Sequence, residues 1–130
     1  MKRWTALSVA ALLALAVVAL TAAPAGVAKG GDIRVAGTCT GSATSKIKLS
    51  AEDGRIEVEF EVDQNRNGVP WRVTLSQNGR TIARLTRVTR TPSGSFEARK
   101  VTPDRAGADV LRGRAISPSG EVCTARATFA

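Results

Sequence analysis

Histidine and tyrosine are absent from this 130-residue chain, and cysteine, methionine and aromatic residues are scarce: two Cys, one Met, two Trp and three Phe. Without His the chain cannot build catalytic devices that depend on imidazole, and it lacks the ligand of most zinc sites. It also has no G-x-S-x-G, phosphate-binding or dinucleotide-binding motif. We therefore expect no catalytic residues, no metal site and no cofactor. The length predicts one domain.

The first 28 residues have the pattern of a secretory signal peptide. Lys2 and Arg3 give a positive start, and an apolar run follows over residues 6–20. The small residues after it allow cleavage after Ala25 or after Ala28. The alternative is a membrane anchor, but the run is shorter than the ~20 residues that span a bilayer. We expect a secreted protein with no transmembrane segment in the mature chain.

The two cysteines, Cys39 and Cys123, are 84 positions apart. In a secreted protein two cysteines most simply form one structural disulfide. A redox pair is the functional alternative, but the C-x-x-C spacing typical of such pairs is missing. The sequence therefore predicts a disulfide that closes a long loop.

Alternating residues on both sides of a turn predict a first β-hairpin. In the run 55–62 the even positions are apolar and the odd positions charged, and the run 46–51 precedes it. Asp53-Gly54 lies between them, and Gly accepts the positive φ that two-residue turns require. A register centred on this turn predicts three apolar and two oppositely charged cross-strand pairs: Ala51 with Ile56, Leu49 with Val58, Ile47 with Phe60, Lys48 with Glu59 and Lys46 with Glu61.

A second hairpin is predicted around Asn78-Gly79. A register centred there gives the pairs Leu75 with Ile82 and Trp71 with Thr86. It also leaves Arg84 on the apolar face and Leu85 off it. We therefore expect a β-bulge or an edge position near Arg84.

Three more runs, at 95–101, 109–117 and 122–129, each follow a turn signal of Pro, Gly or Ser. Counted from Lys46 they bring the strands to seven, and a further short strand is expected at 33–37. Seven short strands in about 85 residues predict a single antiparallel immunoglobulin-like β-sandwich. The expected organisation is a signal peptide at 1–28, a lead-in at 29–43 and the all-β domain at 44–130.

Two positions resemble immunoglobulin-type domains. Trp71 begins the third predicted strand, where such domains often keep a buried Trp. The stretch 109–113 looks like their Asp-x-Tyr-x-Cys segment, with Leu111 and Gly113 in place of the aromatic residue and the Cys. The resemblance implies that the usual central disulfide is missing. Cys39 and Cys123 would instead tie the start of the domain to its last strand.

The chain also resembles short secreted proteins of high-GC actinobacteria. The matching features are the Cys near the mature start, the segment 63–68 leading to Trp71, the segment 92–96 and the segment 119–123. They cover most of the mature domain. The resemblance implies secretion and an immunoglobulin-like sandwich, and it implies no particular activity.

The segment 63–68, Asp-Gln-Asn-Arg-Asn-Gly, matches the opening of a calcium-binding loop. Such loops need a bidentate acid at position twelve, which here is Thr74. Arg66 also cancels most of the negative charge of the segment. We interpret it as a polar connection between sheets, with calcium binding as the alternative.

Four acidic side chains project from one face of the first hairpin: Glu57, Glu59, Glu61 and Asp63. Neighbours two apart on a strand have a spacing compatible with the paired carboxylates of glycosidases. The predicted register places Lys46 and Lys48 beside them, and lysines favour the ionised form of both carboxylates. We interpret this face as a solvated strand surface.

The chain is basic, with 19 Lys and Arg against 11 Asp and Glu and a formal charge of +8. Four arginines in one segment are candidate anion-binding residues: Arg80, Arg84, Arg87 and Arg90. Single-stranded nucleic acids usually require aromatic stacking as well. The aromatic residues after the leader all occupy predicted core positions: Phe60, Trp71, Phe96 and Phe129. We therefore expect no nucleic-acid partner.

The sequence predicts a secreted, non-enzymatic binding module whose partner is an anionic polymer of the cell envelope or an extracellular protein. One alternative is a carrier of small apolar ligands, like the actinomycete chromoproteins of neocarzinostatin type. A second is a secreted protease inhibitor that presents loop 63–70 or 102–107. A third is a basic surface that only keeps the protein soluble. An enzyme with an unrecognised site ranks last.

Overall fold

Side chains that alternate between core and solvent generate the long strands of the fold, except for the edge strand that follows Asn78-Gly79. The computed structural model describes residues 31–130, and the predicted signal peptide lies outside the described residues. The described part of the chain contains nine β-strands: β1 (Ile33–Ala36), β2 (Thr38–Cys39), β3 (Thr44–Glu52), β4 (Arg55–Asp63), β5 (Pro70–Gln77), β6 (Arg80–Val88), β7 (Ser95–Pro103), β8 (Asp109–Ile116) and β9 (Val122–Phe129).

The strands form two antiparallel sheets that pack face to face. One sheet has the order β1-β3-β4-β7 and the other the order β2-β9-β8-β5-β6. The predicted all-β sandwich is therefore confirmed, but with nine strands rather than seven. The two additional strands come from the lead-in: β1, the short strand expected at 33–37, joins one sheet, and β2, which was not predicted, joins the other.

The core lies between the two sheets and contains the inward residues of both. Trp71 on β5 is completely buried and packs against Phe96 on β7, with ring centroids 6.1 Å apart. Its indole N–H donates a hydrogen bond to the side-chain oxygen of Gln64, which satisfies the one polar atom of the ring. The other large core residues follow the predicted alternation: Ile47, Leu49, Ile56, Val58, Phe60, Val62, Val73, Leu75 and Leu111.

The first hairpin has the predicted register. All five predicted pairs occur between β3 and β4, from Lys46 opposite Glu61 to Ala51 opposite Ile56. Asp53 and Gly54 both have positive φ, as the two-residue turn requires. Turn chemistry and apolar pattern agree here, so the sequence specifies one pairing.

The second hairpin corrects our prediction. Leu75 lies opposite Ala83 rather than Ile82, because the register shifts by one residue between Leu75 and Ser76. The extra residue is Ile82, so the bulge lies closer to the turn than expected. It turns Leu85 inward, opposite Val73, and Arg84 outward. The edge position is confirmed, because β6 is the last strand of its sheet.

The predicted disulfide is present. Cys39 on β2 and Cys123 on β9 are direct partners across the strand pair and are joined through their sulfur atoms. The bond ties the start of the domain to its last strand. Within residues 31–130 no helix has the length and apolar character that crossing a bilayer requires.

Candidate functional site

The four arginines proposed as an anion site do not share one surface. Arg84 lies on the outer face of β6, and Arg87, three residues later, lies on the opposite face of the strand. Arg80 pairs with Gln77 beside the hairpin turn. Arg90 follows the strand and forms an isolated bridge with Ser95.

Arg87 and Arg90 instead line a depression of about 460 Å³ between the edges of β6 and β7. Glu61 and Glu97 line the same depression, and the Arg87 guanidinium donates a hydrogen bond to the carbonyl oxygen of Glu97. These two arginines therefore face carboxylates rather than open solvent alone.

The structure places a different set of arginines together. On the five-stranded sheet the inward residues of β5, β8 and β9 are apolar or small, apart from Gln77 and Asp109 at one end, so their neighbours in sequence point outward. We call the resulting surface the arginine face. It is the outer surface of β6, β5, β8 and β9 around five exposed arginines: Arg72, Arg84, Arg112, Arg114 and Arg126.

Cross-strand pairing determines how these arginines are spaced. Arg84 on β6 pairs with Thr74 on β5, and Thr74 pairs with Arg114 on β8, so the three lie in one row. In the next row Arg112 on β8 pairs directly with Arg126 on β9. Like charges directly opposite each other in a sheet destabilise it by roughly 0.2–1 kcal/mol. The fold therefore retains an unfavourable pair at this surface.

Carboxylates are absent from the outward positions of β5, β6, β8 and β9. In the described part of the chain, ion pairs within 4.0 Å involve only four basic residues, none of them on the arginine face: Arg34, Lys46, Lys48 and Arg99. Hydroxyl groups lie between the arginines instead: Thr74, Ser76, Thr86, Thr124 and Thr128. The surface thus combines guanidinium and hydroxyl donors with no internal counter-charge.

Two shallow depressions lie side by side on the arginine face. The first, about 460 Å³, is lined by Arg72, Arg84 and Arg114 together with Thr74 and Thr86. The second, about 330 Å³, is lined by Arg112, Arg114 and Arg126 together with Thr74, Ser76 and Thr81. Arg114 and Thr74 line both. Each depression therefore has three guanidinium groups at its wall.

The outer face of the four-stranded sheet carries most of the carboxylates, and four of them form ion pairs: Glu52, Glu57, Glu59 and Glu61. Lys48 Nζ lies 2.6 Å from Glu59, and this contact raises the pKa of Lys48. The hydrogen bond from Arg99 lowers the pKa of Glu57 to about 2. Glu97 differs, because burial, followed by the charges of neighbouring carboxylates, raises its pKa. The paired groups act as ionised partners of lysine and arginine, as the sequence predicted.

A buried polar network closes one end of the sandwich. Asp109 is fully buried and accepts hydrogen bonds from Gln77, Asn78 and the backbone N–H of Arg105 at 2.9–3.0 Å. Burial opposes ionisation of Asp109, but the hydrogen bonds outweigh it and lower its pKa. Gln77 also donates to the carbonyl oxygen of Pro103 at 2.8 Å, so the network joins the end of β7 to the start of β8 and holds the loop between them in place.

The segment 63–68 forms a connection that its neighbours hold in place. The Asp63 carboxylate accepts the backbone N–H of Asn65 at 2.9 Å, and the Thr89 hydroxyl donates to the carbonyl oxygen of Arg66 at 2.6 Å. Asn65 and Gly68 have positive φ. These bonds favour the interpretation as a polar connection between sheets, because the Asp63 carboxylate and the Thr89 hydroxyl hold the backbone of the segment.

Cys39, Cys123 and Glu121 place two sulfur atoms and a carboxylate oxygen within 4.8 Å of one another. Such a group binds a metal only when the cysteines are thiolates. Here the sulfurs are bonded to each other, and the Glu121 carboxylate accepts the backbone N–H of Ala43 at 2.8 Å. The group therefore supports the structure of the sheet edge.

Sequence reasoning selected Arg84 and passed over Arg72 as a site residue. Strand alternation contained the signal for each outward arginine; Arg72, for example, lies between Trp71 and Val73, both of which are buried. The order of the strands brings these arginines together, and that order cannot be predicted from the pattern of any single strand.

No protein-family model matches this chain, and no curated protein or solved structure matches it.

Proposed function

We propose that this protein is a secreted, non-enzymatic binding module that engages an anionic polymer of the cell envelope through the arginine face. The observation that carries the proposal is the segregation of charge between the two sheets. One outer face presents five arginines without a carboxylate, while the other presents carboxylates, four of which are paired with Lys or Arg. A surface that served only solubility would intersperse both signs.

The aromatic residues favour binding through charge and hydrogen bonds rather than stacking. Phe60, Trp71 and Phe96 are buried, and Phe129 packs against the core. A ligand on the arginine face therefore finds guanidinium and hydroxyl donors. This composition suits phosphate or carboxylate groups on a flexible polymer better than nucleic-acid bases.

The test is retention of the purified, disulfide-bonded protein on immobilised poly(glycerol phosphate), with neutral dextran as the reference matrix. We expect retention at low salt and release in a salt gradient, because each neutralised phosphate releases counterions. A variant with Arg72, Arg112 and Arg114 changed to Gln should elute at much lower salt.

The matched control changes three basic residues of the other sheet, Arg34, Arg55 and Lys100, to Gln. It has the same net charge as the first variant, and we expect elution close to that of the unchanged protein. Equal loss in both variants would mean that total charge, not the arginine face, causes retention. No retention at low salt would overturn the proposal.

The alternatives from the sequence give different outcomes. A carrier of apolar ligands would bind hydrophobic dyes in competition with small apolar molecules. A protease inhibitor would suppress extracellular proteases through loop 63–70 or 102–107. Neither requires the arginine face, so the Gln variants would leave both activities unchanged.

A further inference from the structure

Arg114 has a central position on the arginine face because it lines both depressions. Arg72 and Arg84 face it across the first depression, and Arg112 and Arg126 face it across the second. Thr74, its partner on β5, also lines both. The surface is therefore divided into two similar compartments with one shared wall.

Each compartment has the donors that a tetrahedral oxyanion requires. Guanidinium groups bind phosphate with two parallel hydrogen bonds, and hydroxyl groups supply single donors between them. Thr86 complements the first compartment and Ser76 the second. One phosphate group in each compartment would meet three arginines.

We propose that the two depressions are paired phosphate subsites. The polymer they fit carries phosphodiester groups separated by a polyol or sugar unit. The inference rests on the proposed function and specifies which polyanion the arginine face accepts. In inorganic polyphosphate the phosphates are linked directly. The inference predicts that two neighbouring phosphates of such a chain are too close together to occupy the centres of both subsites.

The sheet lattice gives the distance between the subsites. Strands lie about 4.8 Å apart and residues rise about 3.4 Å along each strand, so the centres of the two arginine triplets lie about 9 Å apart. The register fixes this value, because Arg84, Thr74 and Arg114 occupy one row and Arg112 with Arg126 the next. A ligand whose anionic groups have this spacing can occupy both subsites.

The direct pairing of Arg112 with Arg126 supports an anion in the second subsite. Opposed like charges are unfavourable in the free protein, and a bound phosphate between them would remove the repulsion. No carboxylate of residues 31–130 lies within 4.0 Å of either side chain to do so.

The experiment measures the affinity of the protein for a series of linear alkanediol bisphosphates, from ethanediol to decanediol, by calorimetry at low salt. Glycerol phosphate serves as the single-phosphate reference. We expect affinity to pass through a maximum at a phosphate separation of about 9 Å, because a linker that matches the span gives the highest effective concentration. At the maximum the bisphosphate should bind about tenfold or more tightly than glycerol phosphate.

Single Gln variants test how the subsites share Arg114. Arg114→Gln should weaken the best bisphosphate more than either Arg72→Gln or Arg126→Gln does. The effects of the last two should be additive, because each belongs to one subsite only. The control is Arg55→Gln, an exposed arginine on the other sheet, which should leave affinity unchanged. Retained unfolding midpoints show that the variants are folded.

Three outcomes would overturn the inference. Affinity that rises steadily with charge, whatever the spacing, would leave a binding face without paired subsites. Equal effects of Arg114→Gln and Arg126→Gln would remove the shared role of Arg114. Binding to anionic phospholipid vesicles but not to poly(glycerol phosphate) would make the ligand a membrane surface. If neither the bisphosphates nor poly(glycerol phosphate) bind, the proposed function is wrong as well.

Discussion

Gly113 of β8 lies directly against the aromatic ring of Phe60 of β4, so close that a methyl group on Gly113 would overlap three ring carbons. Phe60 is fully buried between the sheets. Gly113 is the position at which the resemblance to immunoglobulin-type domains implied a missing Cys. The ring of Phe60 therefore fills the centre of the sandwich at that position.

We expect Gly113→Ala to destabilise the fold by roughly 1–3 kcal/mol, because the added methyl overpacks the core against a rigid ring. The measurement is the free energy of unfolding in denaturant. Phe60→Leu in the same chain should restore part of the loss, so the double variant should be more stable than the sum of the two single changes predicts. Additive effects would show that the Gly113–Phe60 contact is not the cause.

Much of this fold follows from local patterns. The first hairpin was predicted residue by residue because Asp53-Gly54, the apolar alternation and the Lys–Glu pairs all require the same register. The second hairpin has a similar turn, but β6 is an edge strand and none of its residues is fully buried. Because the apolar pattern of β6 is weak, the sequence did not show that the extra residue of the bulge is Ile82.

The arginine face illustrates a different limit. Alternation predicts that Arg72, Arg112 and Arg126 point outward from their strands. Their proximity depends on the order β9-β8-β5-β6, which brings together residues up to 54 positions apart in sequence. Pairing between distant strands is a property of the tertiary structure. Arginines that are close in one segment of the sequence therefore did not predict which arginines form the arginine face.

The disulfide should contribute substantially to stability. It closes a separation of 84 residues, and the chain-entropy treatment gives about 4.5 kcal/mol for restricting the unfolded chain. We expect the Cys39→Ser, Cys123→Ser double variant to unfold at lower denaturant with unchanged circular dichroism, because both sheets retain their strands. An unchanged midpoint would show that the bond is redundant with the pairing of β2 and β9.

The Glu57–Arg99 ion pair predicts part of the pH dependence of stability. The pKa of Glu57 is lowered from 4.5 to about 2, so its contribution is complete above pH 4.5 and is lost as the pH falls toward 2. The Arg99 side chain is 55% exposed, so solvent screening keeps the effect small. Glu57→Gln should lower the free energy of unfolding at pH 7. It should also make that free energy, measured in denaturant, depend less on pH between 4.5 and 2.

The matched control is Glu61→Gln, whose ion pair with Lys46 spans 3.5 Å and leaves the lysine side chain 62% exposed. It should change stability at pH 7 by less than Glu57→Gln does. If the two variants behave alike, the hydrogen bond between Arg99 and Glu57 has no particular importance. Repeating both at high salt should reduce the difference, since salt screens such pairs.

The Arg112–Arg126 pair connects stability with binding in a way that separates a functional surface from a merely basic one. In low salt and without ligand, Arg126→Gln should raise the free energy of unfolding by a few tenths of a kcal/mol, because it removes a like-charge pair. With poly(glycerol phosphate) present the order should reverse, since the unchanged protein gains more from ligand binding to its folded state. Thermal unfolding of both proteins, with and without the polymer, measures both effects. The control is Thr128→Val, on the same outer face of β9 and without a charge change. The polymer should stabilise this variant as it stabilises the unchanged protein. If Arg126→Gln is less stable than the unchanged protein without ligand, Arg126 supports the fold and the repulsion argument is wrong.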